Sequence, residues 1–104
     1  MKEINYLEIM YKDDYYPNFL VDKIKVLLEG GVHYLEQGPH SLEEIQAKFD
    51  EITLAINDLE DEFYANSSEL ETVARDSIAE TVIDILQAYN IELDVEDALR
   101  EREW

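Results

Sequence analysis

Carboxylates are the side chains through which this chain could do chemistry: 26 Asp and Glu stand against 8 Lys and Arg in 104 residues, a formal charge of −18. They are densest at Asp58, Glu60, Asp61 and Glu62, again at Glu69 and Glu71, and in the pair Glu80 and Asp84. Facing carboxylates can hold magnesium for hydrolysis of a phosphorylated substrate. That chemistry wants i, i+3 pairs on two helices, so that both oxygens of a pair share one side. Glu60, Asp61 and Glu62 are consecutive and fan out around a helix, and Glu80 with Asp84 is a lone i, i+4 pair. A helical di-iron site needs Glu-x-x-His twice, and the two histidines, His33 and His40, lie in or beside a Gly-containing connection without that partner. There is no cysteine for a disulfide, a thiolate metal site or a thiol nucleophile. No Gly-rich phosphate loop follows a strand, and no Ser or Thr sits in a nucleophile-elbow context. The sequence therefore assigns no catalytic residue, no metal ligand and no cofactor.

What the carboxylates can do is bind. From Ser41 onward nineteen acids face four bases, whereas the first forty residues carry seven and four. So lopsided a field attracts cationic partners and repels nucleic acid and anionic membrane. The expected function is a non-enzymatic protein-binding module, immunity- or antitoxin-like, or an inhibitor of a basic partner. Its patch is Asp58, Glu60, Asp61, Glu62, Glu69 and Glu71, with Tyr64 as an aromatic anchor. The alternative is a metal-assisted hydrolase or small-ligand protein that uses the same helix carboxylates. A third reading takes the acid as a solubility coat.

Those residues must be positioned by helices. Leu42, Ile45, Phe49, Ile52, Ile56, Leu59 and Phe63 recur at alternating spacings of three and four, the stripe of an amphipathic helix of about six turns. Ser41 with Glu44 is a capping box, and Gly38-Pro39 breaks the chain upstream. Leu54 falls opposite the stripe. Ser68 with Glu71 reads as a second capping box, opening a helix 69–90 with Leu70, Val73, Ala74, Ile78, Val82, Ile85, Leu86 and Tyr89 on its apolar side. The four-residue link favours antiparallel neighbours, so the pair 42–64 and 69–90 is expected at the centre. Its predicted core is Phe49, Ile52, Ile56, Leu59, Ile78, Val82 and Ile85. Arg75 lies at the edge of the apolar side and is expected to form a structural ion pair with an acid of another helix.

Nearer the N-terminus, Ile4, Leu7, Tyr11 and Tyr15 recur at helical spacing. Pro17 then starts a helix carrying Phe19, Leu20, Ile24, Leu27 and Leu28, which Gly30-Gly31 should end or loosen in its last turn. Ile91-Glu92-Leu93 reads as a tether, Asp94 to Asp97 as the start of a last helix, and Trp104 as packed back on the body. The apolar fraction of 46% demands a fold rather than disorder. The N-terminus has charge where a signal peptide would be apolar, and no apolar run is long enough to span a bilayer, so no membrane partner and a cytoplasmic location are expected. Monomer and homodimer both remain open.

The segments Tyr16-Pro17-Asn18-Phe19-Leu20-Val21-Asp22-Lys23, Ile56 through Phe63, Ser68 through Asp76 and the closing Trp104 resemble a family of small acidic bacterial proteins classed as a domain of unknown function. The resemblance covers nearly the whole chain. It implies a bacterial, single-domain, mostly helical protein and brings no catalytic residue. Fold and composition together predict an all-α bundle of four or five helices over residues 1–104.

Overall fold

The computed structural model describes residues 3–104 and is all-α, with no strand among them. Five helices follow in order: α1 (Glu8–Lys12), α2 (Asn18–Glu36), α3 (Leu42–Ala65), α4 (Thr72–Ala88) and α5 (Val95–Ala98). The tightest pair is α2 with α3, and it is antiparallel: Lys23 bonds Glu62, Gly31 abuts Ile52 and Tyr34 lies under Lys48. Helix α4 packs on α1 and α5 instead. The expected central pair thus gives way to α2 and α3, while α3 and α4 share a core without close backbone approach.

Gly31 is the reason for that change. Both glycines lie inside α2, which runs a turn and more beyond them rather than ending there. A Cβ at Gly31 would stand 2.8 Å from Ile52 Cδ1, whereas a Cβ at Gly30 would meet nothing within 4 Å. The first glycine is an exposed interruption of helix propensity; the second is the point where two backbones come close. Gly30→Ala should therefore stabilise by about 1 kcal/mol. Gly31→Ala should lose about 1 kcal/mol, because overpacking costs more than propensity returns. Paired urea midpoints check the opposite signs.

The seven predicted core residues are all buried, and Leu20, Val21, Ile24, Leu28, Phe63 and Leu99 join them. The box at Ser41 is complete: its hydroxyl accepts from the Glu44 amide at 3.1 Å, and the Glu44 carboxylate accepts from the Ser41 amide at 2.8 Å. The second expected box does not form, and α4 starts at Thr72 without a side-chain cap. The chain spends those residues ending α3 instead. Ser67 turns left-handed at φ 60, its amide and that of Ser68 return to the carbonyls of Tyr64 and Phe63, and Ser68 is buried. These bonds make a Schellman motif. Asn90 and Ile91 repeat it after α4, with Asn90 at φ 55.

The N-terminal segment is helical only from Glu8. Leu7 adopts φ 53 with its side chain fully buried, and its amide donates to Thr81 Oγ1 at 2.9 Å, pinning the segment to α4. No helix is long and apolar enough to cross a membrane among the described residues.

Candidate functional site

A second stripe on α3, polar this time, builds the site. Gln46, Asp50, Thr53 and Asn57 repeat at the same three-and-four spacing as the core stripe, on the neighbouring flank of the helix. Each takes hold of the C-terminal segment. Gln46 donates to the Asp97 carbonyl at 2.8 Å, and Asp50 accepts two bonds from the Arg100 guanidinium at 2.7 and 3.1 Å. Thr53 Oγ1 lies 3.4 Å from the Ala98 carbonyl. Asn57 donates to the Glu101 carbonyl at 2.8 Å and accepts from the Glu103 amide at 3.0 Å. The Arg100 guanidinium, helped by Gln46 against the cost of burial, holds the Asp50 carboxyl below the usual range.

Beyond Asn57 the same stripe continues as Glu60 and Tyr64, but the tail turns inward at Trp104, which is buried as expected. What it leaves uncovered is a groove of about 460 Å³ lined by Leu54, Asn57, Asp58, Glu60, Asp61, Tyr64 and Glu103. Leu54 and Tyr64 are 48% and 58% exposed, so two apolar side chains stand among four carboxylates. None of Asp58, Glu60, Asp61 and Glu103 has an ion-pair partner among the described residues, although Glu8, Asp50, Glu51, Glu62 and Glu96 are paired with Lys or Arg.

Glu60, half-buried, is pushed up first by burial and then by Glu103 and Asp61. A carboxyl raised by folding weakens the fold above its unfolded value, and that penalty fades as pH falls and both states take up the proton. Glu60→Gln should therefore raise the melting temperature at pH 7, and the gain should vanish near pH ~3. A gain that persists in acid would assign it to packing instead of charge.

Of the expected patch, then, Asp58, Glu60, Asp61 and Tyr64 converge. Glu62 points to α2, where it meets Lys23 at 2.5 Å. Glu69 and Glu71 lie on the connection into α4 as a pair of their own: a hydrogen bond between the two carboxyls raises Glu69, and both acids, with Tyr64, help to raise the Tyr15 hydroxyl beyond the effect of its burial. Arg75 pairs with no Asp or Glu side chain among the described residues. It is exposed on α4, and its Nε donates to the Trp104 main-chain oxygen at 3.2 Å, so it holds the tail. Leu54, Asn57 and Glu103 belong to the groove without having been singled out as ligands. The isolated position of Leu54 opposite the core stripe was their one visible sign.

No three His, Asp or Glu side chains among the described residues are grouped as a metal ion would require. A cavity of about 470 Å³ opens at the other end of α3, between Pro39-His40 and Tyr89-Asn90-Ile91. Two of its polar side chains, His40 and Tyr89, are engaged internally. His40 Nε2 lies 2.9 Å from the Tyr34 carbonyl with the two rings stacked at 3.9 Å, and the Tyr89 hydroxyl donates to Glu36.

The model of a family of unknown function, DUF5713, matches residues 1–104. No curated protein and no solved structure matches the chain.

Proposed function

We propose that this chain, which belongs to the DUF5713 family, is a non-enzymatic binding module that takes a basic protein surface into the groove on the outer face of α3. One observation carries the reading: among the described residues, Asp58, Glu60, Asp61 and Glu103 surround Leu54 and Tyr64 without a cation of their own, while five other acids are paired with Lys or Arg. A carboxylate pushed up by burial and like charge is relieved by an incoming Lys or Arg, and exposed Leu and Tyr supply the desolvated centre that charge alone lacks. The field of the chain speeds the encounter and discriminates against anions.

The test is retention of proteins by the tagged chain from a lysate of its source cells, at low and high salt, with identification by mass spectrometry. Wild type should hold one basic protein in stoichiometric amount at low salt and release it at high salt. The triple variant Asp58→Asn, Glu60→Gln, Asp61→Asn should hold none of it. If the variant retains the same protein as wild type, the groove is not the site; a heterogeneous, salt-labile set of cationic proteins would mark the acid as a solubility feature.

A further inference from the structure

We propose that the partner element is a basic amphipathic helix, seated with its apolar side in the groove between α2 and α3 and its cations on the acidic ridge of α3. The inference rests on the binding role above and names what is recognised. A second groove, of about 360 Å³, runs along the α2/α3 seam, lined by Val26, Leu27, Ala55 and Leu59 with Asp22 and Lys23 at its rim. On α2, Phe19 and Val26 are 52% and 63% exposed and stand seven residues apart on one line. One turn further, at Gly30, nothing lies within 4 Å of where a Cβ would stand, so no side chain obstructs this face of α2 past Val26. From Phe19 to Gly30 is roughly 16 Å, the length of about three helical turns.

Charge selects the occupant. Helix α3 carries eight acids and one base over Leu42–Ala65, and by helical geometry Glu51, Asp58 and Glu62 border Ala55 and Leu59 on the groove side. Asp58 and Asp61 then lead over the ridge to the first groove. In the free protein Lys48 and Lys23 engage Glu51 and Glu62 at the surface, contacts of the kind that exchange readily for those of an incoming cation. A helix with Leu-like residues on one side and Lys or Arg on the other satisfies both surfaces at once, a helix-in-groove mode of recognition. A second copy of this chain would instead set −18 against −18.

The probe is a fluorescein-labelled Leu/Lys peptide patterned as an amphipathic helix, compared by anisotropy with a permuted peptide of identical composition that has no amphipathic face. The patterned peptide should bind wild type at least about tenfold tighter at physiological salt. The double variant Phe19→Ser, Val26→Asn leaves the charge unchanged at two exposed positions and should erase that preference, with melting unchanged. A preference that survives in the double variant overturns the groove as the seat. Equal binding of both peptides to wild type also overturns it while leaving recognition by charge intact, and no binding of either overturns the groove and the binding role together.

Discussion

Truncating Phe49 to Ala should cost about 3–5 kcal/mol, a third or more of the stability of many domains of this size. Phe49 is 1% exposed and occupies the middle of the core stripe of α3, one turn from Ile52, which meets Gly31 of α2. The site has little means of collapsing into the void. Helix α2 is held at its distance by the Gly31 contact, and the other flank of α3 is tied to the C-terminal segment by Gln46, Asp50 and Asn57. Urea denaturation should show a lowered midpoint with an unchanged slope, and a loss below about 1 kcal/mol would contradict the packing described.

Trp104→Ala should be comparably severe, about 3–5 kcal/mol, because an indole only 7% exposed leaves a cavity behind. It should also damage the groove. Trp104 anchors the strand of chain that carries Glu103 past Asn57, and with the anchor gone the Arg75 bond to its carbonyl has less to hold. Trp104→Phe should cost well under half as much, since the indole N–H has no hydrogen-bond partner among the described residues and its removal abandons none. Trp104 is the only tryptophan, so its emission reports directly: blue-shifted in the native state and red-shifted on unfolding. A solvent-like native emission would contradict its burial.

The parts of this fold that were legible in the sequence are those set by local rules. The three-and-four apolar spacing of α3, its Ser41 capping box and the apolar side of α4 are each decided by residues within one or two turns, and the seven predicted core residues are buried. What the sequence concealed depends on distant contacts. Gly31 reads as a helix breaker until Ile52 is seen against it, and Ser68 reads as a cap until the Schellman turn after α3 consumes it. Arg75 has the position of a core-edge ion-pair former, yet the group that reaches it is the main-chain oxygen of Trp104, 29 residues away, which local spacing does not advertise.

The candidate site divides in the same way. Asp58, Glu60, Asp61 and Tyr64 were readable because they share one helix end. Glu62 adjoins them in sequence, but its helical angle turns it to Lys23. The polar stripe Gln46, Asp50, Thr53 and Asn57 was in plain view at heptad spacing, but only its bonds to residues 97–103 reveal why the groove begins where it does.

The most direct test of the binding account is a map of amide chemical-shift changes in the 12.2 kDa protein as the recovered basic partner is titrated in. The changes should concentrate in residues 54–64 of α3, in 101–104 beside it and along the exposed side of α2 from Phe19 to Gly30. They should weaken together as salt is raised. Changes centred instead on the cavity between Pro39-His40 and Tyr89-Asn90-Ile91, with the outer face of α3 silent, would contradict the account.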